Sequence, residues 1–295
     1  MKKGTTNIRL TIVGILLIIM NLSTFAQKRA YGLFNENGKK TKYEKMVAAA
    51  SEADVVLFGE LHNNPIGHWL QFELTRDLHA EKGGNLVLGA EMFEADNQLL
   101  MDEYFAGLIS EAKFEEEARL WKNYTTDYKP LVLLAKDNDL KFIATNIPRR
   151  YANSVYKQGV AVLDSLSDEA KRFIAPLPLA YDTSLNCYNQ LIHGSGPDGH
   201  GSINLADAQA IKDATMSHFI MENWQSGKLF IHYNGAYHSD AYESMNWFLK
   251  RTNPDLKIVT ISSVEQDNLE ELEEDSLKKA DFIIAVPATM TKTSR

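Results

Sequence analysis

Short apolar runs alternate with longer amphipathic segments along most of this chain, and that alternation is the feature that most restricts its fold. A run of four or five apolar residues suits a strand buried on both faces, whereas apolar residues three or four apart suit a helix packed on a sheet. Six runs are strand candidates: 55–58, 86–90, 140–144, 229–233, 258–261 and 282–286. The sequence therefore predicts an α/β protein with a mostly parallel central sheet flanked by helices.

Helical segments are predicted between these strands. After the first strand, apolar residues recur three or four apart until Gly83-Gly84, which supplies a helix stop. The stretches 111–134 and 161–200 have no strong strand pattern. We therefore expect them to form a helical cap insertion over one end of the sheet.

The first residues have the pattern of a cleavable secretory signal peptide. Basic residues precede an uncharged apolar run at 10–20, and Ala26 provides the small residue expected at a cleavage point. The apolar run is shorter than the roughly 20 residues that span a bilayer, so we expect no stable membrane insertion after cleavage. The sequence thus predicts a signal peptide at 1–26 and a single domain at 27–295.

Composition restricts both the compartment and the partners. The chain has one cysteine, Cys187, so no lipid-acceptor cysteine lies at the predicted cleavage point and no disulfide can form within the chain. The net charge of −8 argues against nucleic acid as a partner, because phosphate binding needs clustered Lys and Arg. We expect a periplasmic or envelope-associated protein that is released after export and not lipid-anchored.

Polar residues directly follow four of the predicted strands, and ligands of open parallel sheets bind beyond such strand ends. Two of these segments share the pattern Gly-x-x-His. The segments are Gly59-Glu60-Leu61-His62, Glu91, Asn146 with Arg149 and Arg150, and Gly235-Ala236-Tyr237-His238. Together they would bring two carboxylates, two imidazoles and two guanidinium groups into one crevice.

Several of these residues also have structural explanations. The asparagines before Pro65 can begin a helix, and Glu91 can pair with Arg149 to offset the cost of burying a carboxylate. A histidine after a strand, such as His238, is unremarkable alone, and His232 is expected to be a hydrogen-bonded core residue. The repetition of Gly-x-x-His at two strand ends favours a shared ligand site.

Further candidate ligand residues lie around these strand ends. His193 and His200 flank a Gly- and Pro-rich segment in which imidazoles have little packing role. Tyr237 could serve as a phenolate ligand or pack as a buried aromatic ring. Arg149 and Arg150 suit bidentate binding of a carboxylate.

Familiar catalytic templates are absent from the sequence. It contains no Gly-x-Ser-x-Gly, no phosphate-binding loop and no His-Glu-x-x-His. Covalent haem attachment through Cys-x-x-Cys-His is impossible with one cysteine, so any haem must be bound non-covalently.

The ordered set of motifs resembles the ChaN-like haem-binding family, which is grouped with the Tiki, TraB and erythromycin esterase proteins. The resemblance extends from about Val55 to Val286. It rests on Phe58-Gly59-Glu60-Leu61-His62-Asn63-Asn64-Pro65, Gly89-Ala90-Glu91-Met92-Phe93, Asn146-Ile147-Pro148-Arg149-Arg150, Ala208-Gln209 with Asp213, and Gly235-Ala236-Tyr237-His238.

This resemblance implies non-enzymatic haem binding for uptake or storage at the bacterial envelope. It also implies a haem or iron transport system as partner, and haem held between two protomers of a homodimer. Arginine would bind the propionates, and a histidine or tyrosine would bind the iron. The residues assigned to haem binding are His62, Arg149, Arg150, His193, His200, Tyr237 and His238.

The resemblance leaves a second function open. In hydrolytic relatives the matching positions would bind a divalent metal. The alternative prediction is therefore a metal-dependent peptidase or esterase in which one carboxylate activates a metal-bound water. Its metal-binding and catalytic residues would be Glu60, His62, Glu91 and His238.

Overall fold

Side chains that alternate along the second strand show how the apolar runs build a two-faced sheet. In the computed structural model, Val55 and Leu57 pack into one layer of helices, whereas Val56 and Phe58 pack into the other. Successive side chains of a strand point to opposite faces, so a continuous apolar run places a strand between two helical layers.

The structure describes residues 28–194 and 201–294. Those from Tyr31 onward belong to one compact unit. The predicted signal peptide at 1–26 and the candidate ligand His200 lie outside the described residues. Within the described ranges, no helix is both long and apolar enough to cross a membrane.

The described residues contain seven strands in one sheet, one more than predicted. The strands are β1 (Gly32–Asn35), β2 (Val55–Glu60), β3 (Leu86–Glu94), β4 (Lys141–Asn146), β5 (Leu229–Gly235), β6 (Ile258–Gln266) and β7 (Phe282–Pro287). Their order in the sheet is β1-β7-β6-β2-β5-β3-β4, and all neighbours are parallel except β1 with β7. The six predicted strands are confirmed. The short β1 escapes prediction because it begins with Gly and ends with Asn, which are depleted in strands.

Helices cover both faces of the sheet, which confirms the predicted α/β fold. They are α1 (Tyr43–Ser51), α2 (Pro65–Lys82), α3 (Gln98–Phe105), α4 (Glu111–Glu117), α5 (Lys129–Asp137), α6 (Arg149–Gln158), α7 (Asp168–Lys171), α8 (Asn186–His193), α9 (Ile203–Asn223) and α10 (Met245–Thr252). Helices α1, α2 and α5 pack on one face of the central strands, and α9 and α10 pack on the other.

The two stretches predicted as a cap have different positions in the fold. The stretch 111–134 contains α4, a π-helical turn at Tyr124–Tyr128 and the start of α5. Helix α5 buries Leu131 and Val132 in the core and so belongs to a helical layer, whereas residues 120–123 of the same stretch lie at the ends of β3 and β4. The described part of 161–200 contains α7 and α8, and α8 packs on α9 through Tyr188.

Helix α2 begins immediately after the first Gly-x-x-His motif, and its first turn fixes the path of the chain there. The side chain of Asn64 accepts hydrogen bonds from the backbone N–H groups of Ile66 and Gly67, at 3.0 and 3.2 Å, and Pro65 occupies the first helical position. An asparagine cap followed by proline is a strong helix start. The structural explanation for this segment is therefore correct.

The outer edge of β4 is blocked by a side chain. Gln98 donates from Nε2 to the carbonyl of Phe142 at 3.1 Å, and its Oε1 accepts from the backbone N–H of Ala144 at 2.6 Å. The amide thus binds the edge as a neighbouring strand would. Unpaired strand edges promote pairing between molecules, so this contact protects the sheet.

We expect Gln98→Ala to destabilise the protein and increase its self-association. The substitution leaves one backbone donor and one acceptor of β4 without their partner, which costs roughly 1–3 kcal/mol. Chemical denaturation and light scattering after size-exclusion chromatography measure the two effects. The control is Gln158→Ala, at the exposed end of α6. Equal stability and equal molar mass in both variants would contradict the prediction.

Candidate functional site

Four neighbouring strands end at the same edge of the sheet and bring the predicted residues together. Glu60 ends β2, Gly235 ends β5, Glu91 lies near the end of β3 and Asn146 ends β4. In the sheet these strands are adjacent in the order β2-β5-β3-β4. The carboxyl ends of parallel strands form the usual position of a ligand crevice in such folds.

Glu60 is fully buried and is held by three side chains. Its Oε1 accepts from the hydroxyl of Tyr128 at 2.7 Å and lies 3.0 Å from Nδ1 of His62, and its Oε2 accepts from Gln71 Nε2 at 2.5 Å. Burial alone would raise the pKa of Glu60, but the nearby imidazoles of His68 and His62 and the hydrogen bonds lower it below its usual value. Glu60 is therefore a charged, preorganised acceptor.

His62 is oriented by this carboxylate. With Nδ1–H donating to Glu60, Nε2 carries the lone pair of the neutral ring. The side chain of His62 is 44% exposed, in contrast to the buried Glu60, and its ring lies 4.9 Å edge-on from that of Trp121. Burial lowers the pKa of His62, but the carboxylates of Glu60 and Glu91 outweigh burial and raise it. The arrangement leaves Nε2 as a basic, oriented nitrogen.

The backbone of His62 is held by the π-helical turn and by α2. Asn123 donates from Nδ2 to the His62 carbonyl at 2.7 Å and to Asp127 at 2.5 Å. From α2, Nε2 of His68 lies 3.1 Å from the same carbonyl. Wide π-helical turns often occur at functional sites, and this one brings Asn123, Asp127 and Tyr128 together around the histidine.

The second histidine, His238, is buried between two carboxylates. Its Nε2 lies 3.2 Å from Glu91 Oε1, and its Nδ1 forms a short hydrogen bond with Asp213 of α9. Tyr188 donates to the other oxygen of Asp213 at 2.8 Å. Burial lowers the pKa of His238, but Glu91 and Asp213 outweigh it and raise the pKa to about 10. His238 is thus a buried imidazolium with both nitrogens engaged.

Glu91 joins this group to β5. Its Oε2 accepts from the backbone N–H of Gly235 at 2.7 Å. Burial would raise the pKa of Glu91, but the imidazole of His238 lowers it well below its usual range. The partner of Glu91 is therefore His238 and not Arg149, the alternative that the sequence left open.

The glycines of the two Gly-x-x-His motifs make room for each other's motif. A Cβ atom on Gly235 would lie 2.7 Å from Cε1 and Nε2 of His62, so the His62 ring packs directly on the glycine backbone. A Cβ atom on Gly59 would lie 2.9 Å from Cα of Ala236. The two motifs therefore pack directly against each other, because each occupies the space that a side chain at the other motif's glycine would fill.

The other predicted ligand residues lie in different surroundings. Arg149 lines the crevice, but the Arg150 guanidinium turns to Asp96 at 2.6 Å. Tyr237 is 41% exposed rather than a buried packing residue, and its hydroxyl donates to a backbone carbonyl of α8. His193 ends α8 and is exposed. As expected, His232 is a fully buried core histidine bonded to neighbouring side chains.

A crevice of about 510 Å³ lies at the ends of β3 and β4, and Trp121, which packs on the His62 ring, is part of its lining. Apolar side chains and three cations contribute to its lining, and Asn146 adds a buried amide oxygen that has no hydrogen-bond partner among the described residues. Its lining includes Leu120, Trp121, Ile147 and Ala152 as apolar residues, Lys122, Arg149 and Lys212 as cations, and Glu91, Glu94, Asn123, Asn146 and Ser294 as other polar residues. A larger cavity of about 580 Å³ lies along the outer edge of β4, away from both histidines.

The four residues predicted to bind a divalent metal do not form a ligand set. Both nitrogens of His238 face carboxylates, and Glu60 already accepts from two side chains besides His62. Among the residues that the structure describes, no three His, Cys, Asp or Glu side chains are grouped so that they could hold a metal ion. The geometry therefore does not fit a four-residue centre of the kind expected for hydrolytic relatives.

Several residues of the site have no signal in the sequence. Asn123, Tyr128 and Lys122 come from a stretch with no strand end, and Lys212 lies within a long helix. Asp213, on the same helix, enters only through the motifs that carry the family resemblance. Asp213 could have been found by asking which residues of α9 face the strand ends. That question can be answered only when the order of the strands in the sheet is known.

Comparisons with known proteins identify the family and the fold. The sequence pattern of a family described as haem-binding uptake, Tiki superfamily, ChaN matches residues 46–249. A solved structure described as cofacial haem binding to ChaN of Campylobacter jejuni superposes with a TM-score of 0.64 at 19% identity, covering 86% of this chain and 96% of that chain. A Bacillus cereus protein superposes with a TM-score of 0.50 at 13% identity, covering 87% and 94%. These two structures share the fold.

A plant protein shows a more limited similarity. Reticulata-related 5, a chloroplastic protein of Arabidopsis thaliana, is 24% identical over 201 residues, which cover 62% of this chain and 26% of that protein. This chain thus matches about a quarter of the plant protein's length.

We expect Gly235→Ala to displace the His62 ring and to lower the free energy of unfolding by roughly 1–3 kcal/mol, the usual cost of an overpacked site. Chemical denaturation measures the loss of stability, and the NMR signals of the His62 ring report its displacement. Gly84→Ala is the matched control, since a Cβ atom there meets nothing within 4 Å. Unchanged His62 signals in Gly235→Ala would contradict the packing argument.

The buried His238 imidazolium should give stability a specific pH dependence. Its pKa is raised from 6.5 to about 10 in the folded state, so its contribution is fully present below pH 6.5 and is lost as the pH rises through about 10. His238→Gln should remove this pH dependence. It should also cost about 3–5 kcal/mol at neutral pH, because the buried carboxylate of Glu91, whose pKa His238 lowers, loses its counter-charge.

Chemical denaturation of wild type and His238→Gln between about pH 6 and pH 10 tests this expectation. His218→Gln, which replaces a partly exposed histidine on α9, should stay within about 1 kcal/mol of wild type. A wild type and His238→Gln with parallel pH profiles would show that His238 is not the titrating group.

Proposed function

The chain belongs to the haem-binding uptake family, Tiki superfamily, ChaN, and from that premise we propose that it binds haem in the crevice at the ends of β3 and β4, beside His62. Membership of this family confirms the resemblance that the motifs indicate. The observation that carries the proposal is the combination of apolar side chains with three cations, Lys122, Arg149 and Lys212, in the lining of one crevice. Haem is a flat apolar ring with two anionic propionates, and such a crevice matches both parts.

The cations at the rim are the groups that would bind the propionates. Lys122, Arg149 and Lys212 line the crevice, and none of them forms an ion pair with a carboxylate in the described part of the chain. A guanidinium can bind a carboxylate through two parallel hydrogen bonds, so Arg149 is the strongest of the three. Arg150 is less suited, because Asp96 and the ring of Tyr151 already hold its guanidinium.

His62 is the residue best supported as an iron ligand. Its Nδ1 is bonded to Glu60, which orients the ring and makes Nε2 more basic, as carboxylate partners do for metal-binding histidines. Tyr237 is less suited, since its hydroxyl donates to a carbonyl and burial raises its pKa to about 12, which disfavours the phenolate. The buried His238 has no free nitrogen, and His193 remains a prediction from the sequence.

When bound, haem would bring an iron centre to the crevice, and the protein's part is to hold and orient it. The apolar side chains of Leu120, Trp121 and Ile147 would exclude water from the ring faces. Asn146 offers an unpaired buried oxygen to a donor on the ligand or to a bound water. The contacts of His238 with Glu91 and Asp213 would keep Glu91, which lines the crevice, fixed in place.

The cellular role that we propose is haem or iron acquisition or storage at the bacterial envelope. It is supported by the family description and by the signal-peptide pattern at 1–26, which predicts an exported protein. A haem or iron transport system would then exchange haem with this protein. A homodimer that encloses haem between two protomers remains part of this proposal.

The alternative function, a divalent-metal-dependent hydrolase, has less support. It requires Glu60, His62, Glu91 and His238 as one ligand set, and His238 is already held by two carboxylates. Elemental analysis of the purified protein would favour the hydrolase if it found one equivalent of a divalent metal that His62→Ala removes.

We expect haemin to shift its Soret band when titrated into about micromolar wild-type protein. Arg149→Ala should raise the Kd about tenfold, because a charge-assisted hydrogen bond to a propionate is lost. His62→Ala should change the position of the Soret band, because the iron loses a nitrogen ligand. Absorption spectra recorded during the titration give both results.

The control in this titration is Arg150→Ala, which removes an equal charge from the next residue but should leave the Kd within about twofold. Equal losses in the two arginine variants would show a general charge effect and not a specific contact. No Soret shift with the wild type would overturn the proposed function.

A further inference from the structure

The segment 292–294 lies along one side of the crevice although it belongs to no helix or strand. Ser294 lines the crevice together with Trp121 and Asn123, which come from the π-helical side. This segment follows β7, so it reaches the crevice from the opposite half of the sheet. It forms a wall that the four strand ends do not provide.

Three contacts hold this segment in place. Lys292 forms an ion pair with Glu265 near the end of β6. The backbone N–H of Thr293 donates to the carbonyl of Asn63 at 3.0 Å, and Asn63 Nδ2 donates to the carbonyl of Ser294 at 3.0 Å. Because Asn63 directly follows His62, the segment is tied to the loop that carries the proposed iron ligand.

A fourth contact connects the segment to the network that holds His62. The hydroxyl of Thr293 donates to Asp127 Oδ2, the same oxygen that accepts from Asn123. Asn123 in turn donates to the His62 carbonyl. Nε2 of His68 lies 3.5 Å from Asp127 Oδ2. Asp127 therefore binds Thr293 of the segment and also Asn123, which holds the His62 loop.

We propose that residues 292–294 form a strap that closes one side of the crevice and, through Asp127, stabilises the His62 loop and slows release of the bound ligand. The statement about ligand release rests on the proposed haem-binding function. A few hydrogen bonds and one partly exposed ion pair hold the strap, whereas a sheet strand is held by its whole ladder. Regions with so few contacts open locally without global unfolding, so the strap can detach while the sheet stays intact.

The test compares Thr293→Val, which has nearly the same shape but no hydroxyl, with Thr293→Ser, which keeps the hydroxyl. Thr291→Val is the control at an exposed position two residues earlier. Hydrogen–deuterium exchange of the haem-free proteins reports on the peptides that contain Asn63 and Asp127. Haemin release is followed as transfer to excess apomyoglobin.

In Thr293→Val, we expect faster exchange in both peptides and haemin release faster by about tenfold, as loss of a hydrogen bond to a charged group predicts. Thr293→Ser and Thr291→Val should match wild type in both measurements. Exchange in Thr293→Val equal to wild type would overturn the strap, whatever haemin does. Faster exchange with unchanged haemin release would overturn the claim that the strap slows release of the ligand.

These readouts also separate the two proposals. A wild type that binds no haemin overturns the proposed function and, with it, the claim about ligand release. The exchange measurements on the haem-free proteins still decide whether the strap holds the His62 loop.

Discussion

Three carboxylates are buried at one edge of the sheet, and the rest of the site is arranged around the need to stabilise them. Glu60, Glu91 and Asp213 are each almost fully removed from solvent. A buried carboxylate is costly unless hydrogen bonds or an opposite charge compensate it. The imidazole of His62 is hydrogen-bonded to Glu60, and that of His238 lies between Glu91 and Asp213. The two histidines are thus needed to offset the cost of burying these carboxylates, whether or not a ligand is bound.

The two Gly-x-x-His motifs are alike in sequence but unequal in structure. His238 is buried, has both nitrogens bonded and acts as a fixed internal cation. His62 is partly exposed beside Trp121 and has one nitrogen directed by Glu60. His238 is a structural group that holds Glu91, which lines the crevice, whereas His62 is the more exposed group that we propose as the iron ligand. The same sequence pattern therefore supplies a fixed internal cation at the end of β5 and a partly exposed imidazole at the end of β2.

The haem-binding proposal depends on a crevice whose parts come from distant segments. The strands supply Glu91, Glu94 and Asn146, the turn before α5 supplies Trp121 and Lys122, and α9 supplies Lys212. The strap at 292–294 adds a wall from the far side of the sheet. A ligand bound there would contact at least four separate segments, so its affinity would depend on how these segments are held together.

The sequence by itself determined the sheet, the two histidine motifs and the edge at which they meet, because apolar periodicity and residues after strands are local signals. It could not show that Glu91 pairs with His238 rather than Arg149, that Arg150 turns away, or that Asp213, Asn123 and Lys212 join the site. Those contacts join residues far apart in the chain, and side-chain direction depends on packing. Only the tertiary structure decided them, because strand order and helix placement set which groups share a buried space.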